Sequence, residues 1–110
     1  MILRLKDQAL SKALALAINA KIASYGSVTK LRLDSRSRII EAELDLKGEV
    51  MPLHLTLRDY RFVRRSGKLY LFIGKIESSR SWIESLADDY LRNREVELPG
   101  RYGKLIEKLL

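Results

Sequence analysis

Leu10, Leu14, Ile18 and Ile22 recur every four residues, the spacing of an amphipathic helix. Asp7 precedes this stripe as a candidate N-cap, and Gly26 follows Tyr25 as a stop. Ala9, Ala13, Ala17 and Ala20 widen the apolar face with small side chains, so the helix can approach a second layer closely. A sheet is the expected layer.

Beyond Gly26 the period changes from four to two. A two-residue turn at Gly48-Glu49 sets Leu46 opposite Met51, Leu44 opposite Leu53, Ala42 opposite Leu55 and Ile40 opposite Leu57. The opposite face then pairs Glu43 with His54 and Glu41 with Thr56. This apolar-in, polar-out alternation is that of antiparallel strands with one wet face. A turn at Asp34-Ser35-Arg36-Ser37 sets Leu31 against Ile40 and Lys30 against Glu41. A fourth strand, KLYLFIGKI, is apolar on both faces and is expected to be covered on both sides.

Strand three changes phase: Leu53, Leu55 and Leu57 are odd-numbered, whereas Tyr60 and Phe62 are even. A bulge near Arg58-Asp59 keeps all five on one face. An unbroken strand turns the two aromatics outward, where with Tyr70 and Phe72 they form an apolar partner surface. Both arrangements fit the pattern, and packing of these aromatics into the core is the expected one.

Ser81 and Glu84 then stand at capping-box spacing before a helical face of Trp82, Ile83, Leu86, Ala87, Tyr90 and Leu91. Pro99-Gly100 breaks the chain ahead of a short last helix bearing Tyr102, Leu105, Ile106 and Leu109. The expectation is one α+β domain over 1–110: an N-terminal helix packed on a four-stranded antiparallel meander, followed by two C-terminal helices. In architecture this resembles tubular lipid-binding domains and cystatin-like folds. The likeness implies, as one option, an apolar ligand carried between helix and sheet.

Composition narrows the function classes. The 110 residues carry 21 basic and 14 acidic side chains, a formal charge of +7, which favours anionic partners such as nucleic acid or phospholipid head groups. The excess is spread along the chain. With no cysteine there is neither a disulfide framework nor a thiolate metal site. The longest apolar run near the start, Ala13 to Ile18, is far shorter than a signal core or a transmembrane span, so the chain is expected to be cytoplasmic.

Catalytic chemistry has little to stand on. The single histidine, His54, faces Glu43 in the expected register, yet no second histidine or cysteine completes a triad or metal set. Glu84, Asp88 and Asp89 form an acidic group, but Arg80 and Arg92 at helical spacing make it a salt-bridged surface. No P-loop or dinucleotide fingerprint is present. The chain is therefore expected to be a non-catalytic binding or protein-interaction module without metal or cofactor.

The most distinctive stretch is RDYRFVRRSGKLYLF, residues 58–72, with four arginines, a lysine and four aromatic residues. In a meander the first and third turns emerge at one end. Arg36 and Arg38 would then join Arg64, Arg65 and Lys68 in a basic rim suited to phosphate, which arginine binds through two parallel hydrogen bonds. A homodimer through the outer sheet face or the last helix is also expected, given the apolar surface of the last helix and strand four.

Overall fold

The computed structural model describes residues 5–81, 83, 84 and 95–110. Helix α1 (Leu5–Ile22) leads into β1 (Gly26–Asp34), β2 (Ile39–Leu46), β3 (Leu53–Arg58), β4 (Arg61–Arg65), β5 (Lys68–Phe72), β6 (Lys75–Ser78) and β7 (Glu95–Glu97). Helix α2 (Gly100–Leu109) ends the chain. The class is α+β with antiparallel sheets, an N-terminal and a C-terminal helix. Two helices, not three, are found among the described residues. The expected helix after Ser81 falls mostly on residues 82 and 85–94, outside them, although Ile83 and Glu84 donate backbone hydrogen bonds to the Arg80 carbonyl.

Instead of one meander there are two sheets, ordered β1-β2-β3-β6 and β4-β5-β7. The expected third and fourth strands each break once, at facing positions. Asp59 adopts a left-handed φ of 56°, and Gly74 donates its amide to the Arg58 carbonyl at 3.1 Å. A Cβ on Gly74 would lie 2.8 Å from that of Asp59, so only glycine allows the two strands to cross this closely. The long hairpin thus leaves the first sheet at 59 and 74 and continues as the second. The left-handed residue also resolves the phase change: Leu57 and Tyr60 are both buried in one core, and Phe62 packs against it.

The β2–β3 register is the expected one, with Ile40↔Leu57, Ala42↔Leu55, Leu44↔Leu53, Glu41↔Thr56 and Glu43↔His54. The ladder ends at Leu44↔Leu53, and the expected Leu46–Met51 pair does not form. Between β1 and β2 the register is displaced by two residues from expectation, pairing Leu33 with Ile40, Leu31 with Ala42 and Lys30 with Glu43. The turn is longer because the Asp34 carboxylate accepts the Arg36 and Ser37 amides at 3.0 and 3.4 Å, and Arg38 takes a left-handed φ of 56°. A slip of two keeps every side chain on its face.

Asp7 is not a cap but lies in the first turn of α1, 2% exposed. Its Oδ2 accepts the Ser35 amide and hydroxyl at 3.0 and 3.1 Å. One turn on, the Ser11 hydroxyl donates to the Asp7 carbonyl and accepts the Leu33 amide at 2.9 Å. Two turns further, Asn19 Oδ1 accepts the Val28 amide at 2.6 Å, next to a bulge between Val28 and Lys30. A polar stripe at positions 7, 11 and 19 therefore covers the outer edge of β1, supplying partners that an edge strand otherwise lacks. Beside it, Leu10, Ala13, Leu14 and Ala17 pack with Leu33, Ile40 and Leu57, and Ala20 is left exposed. Helix α2 completes this core through Ile106.

Candidate binding surface

The second sheet is held by a tight hairpin. Ser66 and Gly67 both have left-handed φ, 52° and 77°, the signature of a two-residue turn whose twist matches the strands it joins. It pairs Arg61↔Phe72, Phe62↔Leu71, Val63↔Tyr70, Arg64↔Leu69 and Arg65↔Lys68. Strand β7 adds on the other side of β5, with Tyr70↔Glu97 and Phe72↔Glu95.

Alternation then sorts the side chains. Leu69 and Leu71 are buried with Phe62 against the core. The opposite face carries Arg61, Val63, Arg65, Lys68, Tyr70, Phe72, Glu95 and Glu97. Here the Arg61 guanidinium sits 4.9 Å from the centre of the Phe72 ring, and that of Arg65 lies 5.5 Å from the Tyr70 ring. Both are within cation–π range. Because Tyr70 and Phe72 are two residues apart on one strand, the two stacks stand side by side.

Three cations of this hairpin also meet carboxylates of the C-terminal segment. Arg65 Nη2 is 2.7 Å from Glu95 and Lys68 Nζ 3.1 Å from Glu97. On the inner side, Arg64 makes a bidentate pair with Glu107 of α2, at 3.1 and 2.5 Å. Hydrogen bonding from Arg64 holds the Glu107 carboxyl below its ordinary value, against partial desolvation, and the Arg64 and Lys104 charges add to the effect. The Lys68 ammonium is raised by its hydrogen bond to Glu97 and by that carboxylate's charge. Among the described residues, Arg61 has no carboxylate within ion-pair distance.

The expected basic rim is divided between two places. Arg36 is exposed on the β1–β2 turn. Arg38 lines a cleft of about 250 Å³ with Lys6, Leu10, Tyr60, Arg61 and Phe62. The contacts of Arg64, Arg65 and Lys68 run to the C-terminal segment rather than to that turn. Of the four aromatics, Tyr60 is interior, edge-on to Phe62 at 5.7 Å between centroids. Burial, with the Asp7 charge adding, pushes its phenol up to about 12. Tyr70 and Phe72 are half-buried on the outer face. Arg61 was not among the residues the sequence singled out. Its parity with Tyr70 and Phe72 across the Ser66-Gly67 turn is the signal that identifies it.

The outer face of the first sheet is different in character. It forms an open concavity of about 470 Å³ bordered by Lys30, Arg32, Glu41, Glu43, His54 and Thr56. Glu43 there meets His54 at 3.4 Å and Lys30 at 3.9 Å. Both are cross-strand contacts, of a kind ordinary on a wet sheet face, and the Lys30–Glu43 pair is one of opposite charge. Among the described residues no group of three His, Asp or Glu could hold a metal ion; Asp88 and Asp89 of the acidic group lie outside them. No helix among the described residues is long and apolar enough to cross a membrane. No protein-family model, curated protein or solved structure matches the chain.

Proposed function

We propose that the protein is a non-catalytic binding module that engages an anionic macromolecular partner through the outer face of β4, β5 and β7. The observation that carries this reading is the pair of arginine–aromatic stacks, Arg61 on Phe72 and Arg65 on Tyr70. Stacking holds each guanidinium flat, so less rotamer freedom is lost when its donors meet a carboxylate or phosphate. Arg65 and Lys68 already have carboxylate partners, but exposed ion pairs contribute only about 0–1 kcal/mol. Exchanging Glu95 and Glu97 for a partner's anions therefore costs little.

Fluorescence anisotropy of labelled polyglutamate and single-stranded RNA at low salt tests the reading. Binding of at least one probe is expected, weakening as salt rises and falling several-fold in an Arg61→Gln/Arg65→Gln double variant. Equal binding by the variant, or no binding of either probe by the unaltered protein, would overturn it.

A further inference from the structure

The geometry points to a specific mode of capture: the open edge of β4 takes up an extended acidic segment of a partner protein as a fourth strand. This rests on the reading of the β4–β5–β7 face as the binding surface. The sheets treat their edges unequally. The edge of β1 is covered by Ser11 and Asn19 of α1, and at β7 the Glu97 carbonyl accepts Lys21 Nζ at 2.9 Å. Among the described residues, strand β4 has β5 on one side and no strand on the other.

The Ser66-Gly67 turn decides which groups face outward. In a two-residue hairpin the pair flanking the turn exchanges both hydrogen bonds, and bonded pairs then alternate. Arg65–Lys68, Val63–Tyr70 and Arg61–Phe72 are thus the bonded pairs. The N–H and C=O of Phe62 and Arg64 point away from β5. Among the described residues, none of the backbone bonds between elements reaches them. They are two donors and two acceptors arranged to receive a strand, the geometry of peptide recognition by strand addition.

Charge selects the occupant. A second copy pairing antiparallel about Val63 would set Arg61 opposite Arg65 at both ends, and like charges directly opposite destabilise. An acidic strand meets the same arginines favourably, with carboxylates opposite Arg61 and Arg65 and an apolar side chain against Phe62. Past Arg61, the cleft carrying Lys6 and Arg38 over Leu10 and Phe62 extends the groove, adding two cations to its walls.

The test is amide hydrogen exchange on the full chain, with and without a capped peptide of alternating glutamate and valine. The Phe62 and Arg64 amides, open in the free protein, are expected to become protected. N-methylation of the peptide at alternate residues, which removes backbone donors and leaves its charge intact, should weaken binding about tenfold or more. If the peptide binds with both amides unprotected and N-methylation without effect, the strand-addition proposal fails while the binding face stands. If single-stranded RNA binds and the peptide does not, the partner class is wrong. If both probes fail, the reading of the face falls with it. Protection of both amides in a peptide-free dimer would make a second copy the occupant, again against the proposal.

Discussion

Ser11 shows how one side chain in an apolar helix ties two elements together. It is 6% exposed, donates its hydroxyl to the Asp7 carbonyl, and accepts the Leu33 amide. Ser11→Ala leaves that buried N–H without a partner, which costs about 1–3 kcal/mol. A lowered urea midpoint with an unchanged slope is the expected outcome; an unchanged midpoint would show that water or a backbone shift satisfies Leu33. The stripe of Asp7, Ser11 and Asn19 was present in the sequence as polar residues at helical spacing. Read alone, Asn19 only interrupts an apolar run, and its edge-covering role appears once β1 lies beside the helix. Asp59 is harder to foresee. A left-handed non-glycine residue is held there by the crossing of two strands; the phase change between Leu57 and Tyr60 marks the place, but leaves two arrangements open.

At the scale of elements, legibility follows from how many constraints act on each register. The β2–β3 pairing was readable because apolar alternation on both strands and the position of the turn agree. The β1–β2 pairing satisfies the same alternation at two registers, and the side-chain bonds of Asp34 choose between them. The three residues of β7 are too few to show a period. The arginine–aromatic pairs were legible in principle, since closing the hairpin at Ser66-Gly67 sets Arg61 opposite Phe72.

Helix α2 is short enough to need its docking contacts, and Arg64–Glu107 is one of them. The Glu107 carboxyl lies below its ordinary 4.5 in the folded protein, so the native state binds its proton less readily than the unfolded chain. The stability this gives is present above 4.5 and is lost as pH falls through the lower folded value. Arg64→Gln should therefore lower the urea midpoint at neutral pH, and the gap from the unaltered protein should close in acid. A gap that persists undiminished at pH well below 4.5 would mean that Arg64 acts through packing alone.

For the whole molecule, the proposed recognition surface is one of two outer sheet faces that differ in how their charges are arranged. The first carries alternating cross-strand charges that neutralise one another. The second sets Arg61 and Arg65 against two aromatic rings; Arg65 and Lys68 pair there with Glu95 and Glu97, and among the described residues Arg61 has no carboxylate partner and the β4 edge no strand. The +7 charge draws anions toward the molecule generally, so affinity alone does not locate the surface. Backbone amide chemical-shift mapping of the full chain during titration with polyglutamate does. Shifts are expected to concentrate on β4 and β5, at Arg61, Val63, Arg65, Lys68, Tyr70 and Phe72, and to leave Lys30, Arg32 and His54 unmoved. Shifts centred on the outer face of the first sheet, or on the Arg36 turn without β4 and β5, would contradict it.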